Sequence, residues 1–285
     1  MRREAPRTLF SLSRAYQKGI ESLDYEVIVV DNGSSEPLDE EMVADFGREF
    51  SYFFWATESR SPVSALNAAA RRTRGRHLML CIDGARILSP GLLRLSWLAT
   101  RISENAIATP VAFHLGEKIQ KVSMQEGYDQ QVEDRLLASR DWRANGYALY
   151  DIACLANSSA KGWFFPISES SCLTLPRTLF DALGGYDEAF ITPGGGYASL
   201  DFYKRACEST DSTLVMLLGE GTFHQFHGGA ATNSPPDRHP GSEFRDEYRR
   251  LRGRGYEPPR AEPMYLGTVP PQARRFVKQS LSTWE

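Results

Sequence analysis

His77-Leu-Met-Leu-Cys-Ile-Asp83-Gly-Ala-Arg86-Ile-Leu-Ser-Pro90-Gly91 is an apolar run that ends on an aspartate and a glycine, followed by a proline able to open a helix. A buried strand that stops at an acidic residue puts that residue at a sheet's carboxyl edge, where open α/β sheets bind ligands. Asp-Gly is also ordinary turn chemistry, so the role of Asp83 rests on what flanks it.

Upstream, residues 4–19 read as an amphipathic helix with Leu9, Leu12 and Tyr16 on one face and Gly19 as its stop. Tyr25-Glu-Val-Ile-Val-Val30 is a β-branched strand delivering Asp31 to a tight Asn-Gly-Ser-Ser turn. Residues 38–49 are helical in pattern, 52–55 form a short aromatic strand, and Ser61-Pro62 opens an alanine-rich helix up to Gly75. Downstream come a helix over 90–102 and a strand over 106–109. This alternation predicts a mostly parallel sheet with helices on both faces. Residues 120–140 are polar and helical in pattern, and 141–165 mix aromatics with small polar residues, suiting either a pocket wall or an irregular packed subdomain. Further on lie a strand over 171–175, a Pro176-led helix, a glycine-rich loop over 191–197, a helix carrying Asp201 and Arg205, and a strand over 215–218. Past 230, proline and charge rise, and two short helices, 242–252 and 271–282, read as a tail wrapping the domain.

The chain has 285 residues, 41% hydrophobic and 24% charged, ordinary for a globular protein with a sizeable core. A net charge of -3 gives no basic excess for neutralising phosphates, so a dedicated nucleic-acid binder is not expected. The four cysteines form no CxxC pair, giving neither zinc spacing nor a disulfide framework, and Cys81 and Cys172 read as small core residues. A reducing, cytoplasmic setting fits. There is no run of 18 apolar residues and no apolar signal-peptide segment. A dinucleotide-dependent oxidoreductase is excluded because no GxGxxG follows a first strand.

In order, these pieces resemble the family 2 glycosyltransferases, which have the Rossmann-like GT-A fold. "YEVIVVDNGSSE" is similar to the family's second strand and its aspartate turn, and "SPVSALNAAARRTRG" to the helix ending in Asn-x3-Ala-x3-Gly. "LMLCIDGARILSPGLL" is similar to the Asp-x-Asp strand, and "LGGYDEAFITPGGGYASLDFYKRA" to the acceptor-side segment ending in Glu-Asp-x-Asp. The resemblance covers about residues 1–230. It implies a nucleotide-binding half (1–112), an acceptor-side half (113–230) and an extension (231–285) packed on the domain. The chain begins just after the position of the family's first strand, as if the start were misassigned or the sequence shortened. A missing central strand should leave two strand edges exposed.

Two further departures bear on chemistry. The third position of Asp-x-Asp is Ala85, leaving Asp83 as the lone carboxylate, with Arg86 beside it. One carboxylate holds Mg²⁺ or Mn²⁺ poorly unless other ligands complete the octahedron, and Arg86 could instead meet a diphosphate directly. In the Glu-Asp-x-Asp helix only Asp201 remains, after Ala198 and Ser199. An inverting transferase needs a base near the acceptor hydroxyl. Asp201 is the candidate, with a structural i,i+4 pair to Arg205 as its alternative and Asp187 and Glu188 as substitutes. His224 and His227 follow a strand. In extended chain their opposite parity would point them apart, so one is the expected ligand; the resemblance favours a histidine here completing the metal site, and His227, before the double glycine, is the one chosen.

The expected site is therefore Asp31, Asp83, Arg86 and Arg60 toward the donor, Asp83 and His227 toward a divalent cation (Mn or Mg), and Asp201 toward the acceptor. Asn67 is expected to fix backbone. The implied activity is transfer of a sugar from a UDP- or GDP-sugar to a glycan, lipid or small-molecule acceptor, with inversion, without nucleic acid and with peripheral membrane contact possible. The competing expectation is a non-catalytic relative that binds a sugar, a nucleotide or a partner protein.

Overall fold

Runs of β-branched and aromatic residues set the strands, and short crossovers set their directions. The structure, a computed structural model, describes residues 1–229, 233 and 239–282. Strand β1 (Val27–Asn32) pairs in parallel with β2 (Phe50–Trp55), joined through helix α2 (Glu40–Ala44), whose first turn is capped by the Asp39 carboxylate. Helix α1 (Ala5–Leu12) precedes them, and α3 (Val63–Arg72) leads to β3 (His77–Cys81).

Among the described residues the main sheet has seven strands. Its path runs β3, β7 (Cys172–Pro176), β5 (Ala106–Leu115), β8 (Thr213–His224), β4 (Arg86–Leu88). Two more strands attach off this path, β6 (Ala153–Leu155) to β5 and β9 (Met264–Gly267) to β8. The α/β class is as expected, with β1–β2, β5–β8 and β8–β9 parallel. The pairs β3–β7, β5–β7, β4–β8 and β5–β6 are antiparallel. Strand β4 follows β3 after only residues 82–85, too few for a parallel crossover. It leaves the β3 edge and pairs with β8.

Among the described residues, β1 pairs only with β2, and β3 only with β7. Among the described residues each keeps one edge without a strand partner.

Several elements differ in length from expectation. The first helix stops at Leu12 because polar side chains capture its carbonyls: Ser13 Oγ donates to Phe10 O, and Gln17 Nε2 to Ser11 O at 2.7 Å. Strand β5 runs six residues past 109, through Pro110. The ladder absorbs the proline as a register shift between Thr109 and Val111. Helices α4 (Leu92–Ala99), α7 (Arg177–Ala182) and α8 (Ala198–Cys207) lie where expected. The 120–140 segment divides into α5 (Gln120–Ser123) and α6 (Gln130–Ala138). The tail helices are α9 (Gly241–Arg252) and α10 (Arg274–Leu281), and β9 between them adds a strand to the main sheet. The boundary expected at 230/231 lies outside the described residues.

Strand β8 is apolar on both faces. Leu214 and Met216 enter the large core, whereas Val215 and Leu217 pack with Leu95 and Ala99 of α4. The aromatic segment 141–165 is core rather than pocket wall: Tyr150 and Trp163 are fully buried around Phe113 and Phe223. Gly221 is required there, since a Cβ would meet the Phe113 ring at 2.7 Å. No helix among the described residues is long and apolar enough to cross a membrane.

Glu220, in the same strand, is 2% exposed and accepts from Ser89 Oγ, Gly91 N and Tyr147 Oη. Burial outweighs these bonds and pushes its carboxyl up to about 7 from 4.5. The folded state thus holds a proton that the unfolded chain releases. Glu220's contribution to stability is complete below about pH 4.5 and is lost as pH rises through about 7. The Glu220→Gln variant should be more stable than wild type above pH 7, by at most about 3 kcal/mol, and the difference should shrink toward pH 5. Urea unfolding across that range checks it, and a pH-independent difference would contradict the buried proton.

Candidate active site and metal centre

Asp83 lies just past the end of β3, on a turn held from two sides. Thr8 Oγ1 of α1 donates to Gly84 O at 2.8 Å, and Gln225 N donates to Ala85 O at 2.8 Å. Asp83 accepts from Ala85 N at 3.0 Å on one oxygen and from Arg86 Nε at 2.9 Å on the other. Ala85 is fully buried. A carboxylate at that position would be desolvated, so the second acid of an Asp-x-Asp pair has no place here.

The antiparallel pairing of β4 with β8 sets Arg86 opposite His224. Strand β8 ends at His224, so strand alternation does not extend to His227, and the two rings converge. Their Nε2 atoms are 3.2 Å apart. One ligand atom each from Asp83, His224 and His227 lies within 4.8 Å of the others. The expectation that only one histidine faces this place is thereby corrected: His224 joins His227, because the chain bends after 224. Ligand atoms bonded to one cation at about 2.1 Å stand about 3.0–3.4 Å apart in octahedral or tetrahedral geometry. The His–His separation fits that range.

The protonation of His224 follows from its neighbours. Gln120, fully buried, donates through Nε2 to His224 O at 3.0 Å, and a carbonyl can only accept. Gln120 Oε1 therefore faces His224 Nδ1 at 2.7 Å and must accept from it. The same oxygen accepts from Asn233 Nδ2 at 3.1 Å. His224 thus carries its proton on Nδ1 and presents the Nε2 lone pair toward His227, the outer-shell arrangement common at metal-binding histidines. Burial, reinforced by the Arg86 guanidinium, holds His224 well below the usual histidine range, and burial also lowers His227. Both rings are neutral donors. His114, stacked near His224, accepts from Gln120 N through Nδ1, and burial pushes it down to about 3.

The segment after His224 is clamped by Glu133, fully buried, which accepts from Phe226 N at 2.7 Å, Tyr128 Oη at 3.2 Å and the Arg3 guanidinium at 3.2 Å. None of these anchors was foreseen from the sequence. A buried glutamine and glutamate in a polar helical stretch carry no periodic signal of their own.

Asp31 ends β1 and is 7% exposed, accepting from Ser34 N at 2.9 Å and facing Tyr52 Oη at 3.4 Å. Among the described residues no hydrogen bond joins it to Asp83, His224 or His227. The next residue, Asn32, donates to Ser59 O and Ser61 O, and its Oδ1 is buried with no hydrogen-bond partner among the described residues. Arg60 is exposed in that loop, with its carbonyl accepting from Gly194 N at 2.9 Å. Asn67 fixes backbone as expected. It donates to Tyr186 O and accepts from Tyr186 N, across a turn where Gly185 adopts φ +69.

Asp201 does not present a free carboxylate. It is 2% exposed and accepts from Arg205 Nε at 2.8 Å and from Arg252 Nε at 2.6 Å and Nη2 at 2.8 Å. Arg252 also reaches Asp187 at 2.8 Å, so the group staples α8 to α9 and the 187 loop. Both carboxylate oxygens are engaged by guanidiniums, and the bond to Arg205 is the i,i+4 pair named as the structural alternative.

In the metal-free protein, ¹⁵N-correlated imidazole spectra should show His224 in the Nδ1–H form. The Gln120→Leu variant should lose that single tautomer and bind Mn²⁺ or Co²⁺ about 10–100-fold more weakly by calorimetry. An Nε2–H tautomer in the wild type would refute the deduced amide orientation.

Against this geometry, the sequence profile described as glycosyl transferase family 2 matches residues 3–124, which includes Asp31, Asp83 and Arg86. The fold is similar to that of S. aureus TarS, with TM-score 0.50 and 12% identity over 79% of this chain and 35% of that one. A structure of S. aureus TarS 1-349 in complex with UDP aligns at TM-score 0.48 and 11% identity, over 74% of this chain and 54% of that one. The chain thus spans about a third to about half of the length of those proteins. It has no significant match among curated protein sequences. Residues 3–124 thus match the glycosyl transferase family 2 profile, and the chain has a mixed α/β fold of the GT-A kind.

Proposed function

We propose that this protein transfers a sugar from a nucleotide-diphospho-sugar to an acceptor hydroxyl, with inversion at the anomeric carbon. The observation that carries this reading is the convergence of Asp83, His224 and His227 within 4.8 Å, beside Arg86, with Asp83 and Arg86 inside the segment that matches the family profile. A donor diphosphate brings concentrated negative charge that must be neutralised as it leaves. The terminal nitrogens of Arg86, left over from its bond to Asp83, are suited to phosphate oxygens. A bound divalent cation would supply further neutralisation of the departing diphosphate. The donor set of one carboxylate and two imidazoles favours Mn²⁺ or a later transition metal over Mg²⁺, which prefers all-oxygen shells.

Asp31 is suited to the nucleoside, accepting from a base imide or a ribose hydroxyl. The unpaired Asn32 Oδ1 beside it supports a polar ligand there. Arg60, exposed on the adjoining loop, is proposed as an outer donor contact. UDP- and GDP-sugars are the donors to be tested, and a glycan, lipid or small molecule the acceptor, in the cytoplasm. The two-arginine capture of Asp201 favours a second reading, a protein that binds a nucleotide or sugar without turnover.

Titration of UDP and GDP with and without Mn²⁺, together with an assay for released nucleoside diphosphate, separates the two. The transferase reading expects Mn²⁺-enhanced binding and turnover of at least one donor. The Asp83→Ala variant should bind nucleoside diphosphate at least about tenfold more weakly. Binding without turnover on every donor would favour the second reading, and unchanged affinity in Asp83→Ala would remove Asp83 from the site.

A further inference from the structure

Transfer to a hydroxyl needs a proton acceptor, and the carboxylates near the sheet's carboxyl edge are nearly all occupied. Asp201 is held by two arginines, Asp187 by Arg252 and Ala189 N, and Glu188 by Asn67. Glu247 accepts from Ile191 N, Thr192 N and Thr192 Oγ1, and Asp83 belongs to the cation cluster. Glu169, like Glu188, takes one hydrogen bond among the described residues, but Glu188 is exposed, whereas Glu169 is half-buried and its bond comes from Ser199 Oγ at 3.2 Å, at the start of α8.

Its position is fixed by the residues that follow it. Ser170 Oγ accepts from Thr109 Oγ1 of β5 at 2.7 Å, and Ser171 Oγ meets Thr222 Oγ1 of β8 at 3.1 Å. Ser171 O accepts from Ile82 N at 3.4 Å, one residue before Asp83. Both serines are buried. Glu169 therefore emerges where β3 hands over to Asp83 and where β8 approaches His224. It lies against the first turn of α8, where Ala198 and Ser199 offer no acid.

We propose that Glu169 is the general base of the transfer, an assignment that rests on the transferase reading above. The acceptor oxygen forms its bond to the anomeric carbon as its proton passes to the Glu169 carboxylate. The bond from the anomeric carbon to the diphosphate oxygen breaks, and its electron pair leaves on the nucleoside diphosphate. Ser199 holds the carboxylate in place through one oxygen and leaves the other for the acceptor.

The test uses the full chain with Mn²⁺, UDP-glucose, UDP-N-acetylglucosamine and GDP-mannose as donors, and water as acceptor. In Glu169→Gln the amide oxygen can still accept from Ser199, so the fold and UDP affinity should stay within about twofold of wild type. Turnover should fall about 100-fold or more, the usual contribution of a positioned base. Added formate should restore part of the turnover of Glu169→Ala, which a merely structural role would not allow. Glu169→Gln with turnover within about threefold of wild type overturns the assignment while leaving the transferase reading intact. A wild type that binds UDP but turns over no donor overturns both.

Discussion

The antiparallel pairing of Arg86–Leu88 with Thr222–His224 is the constraint on which the rest of the site depends. It reverses the chain directly after Asp83 and carries it across to β8. That reversal alone brings a carboxylate from residue 83 to two imidazoles from residues 224 and 227. The pairing is short, but its surroundings lock it: Ile87, Leu88 and Phe223 are fully buried, and Thr8 and Gln225 hold the turn at residues 84–85. Breaking it would separate the cluster and unpair buried backbone groups at once.

On the proposed reading, one kind of ligand takes the place of another around this constraint. The turn has no room for a second acid at the buried position 85, and the imidazoles of β8 and the bend after it stand in its place. Neutral histidines add no repulsion toward a diphosphate, but they need fixed tautomers to act as ligands. Gln120, Glu133 and Asn233 meet that need as a buried polar network in which each amide orientation follows from an obligate acceptor. On the acceptor side the exchange is similar. The acid that remains on α8 is tied into a structural staple, and Glu169, from a different segment, stands at the helix's first turn.

Much of the fold was legible in the sequence. Val27–Asn32, His77–Cys81 and Cys172–Pro176 are apolar or β-branched runs bounded by turn residues, and burial on a sheet leaves that pattern. Asn67 could be read as a backbone fastener. Other features were hidden by rules that hold locally and are overridden by packing. The strand expected over 106–109 continues to Leu115, through a register shift at Pro110. Opposite parity suggested that His224 and His227 diverge, yet the strand stops between them. The Arg252 partner of Asp201 and the Ser199 partner of Glu169 lie 51 and 30 positions away, which no local pattern encodes.

The most direct test of this account is anomalous diffraction at the manganese edge from crystals of the full chain soaked with Mn²⁺ and UDP. The account predicts a single strong peak within about 2.3 Å of an Asp83 oxygen and of Nε2 of both His224 and His227, with UDP phosphate oxygens completing the shell and Arg86 in contact with them. A peak elsewhere, or UDP bound with no manganese between these three side chains, would contradict it.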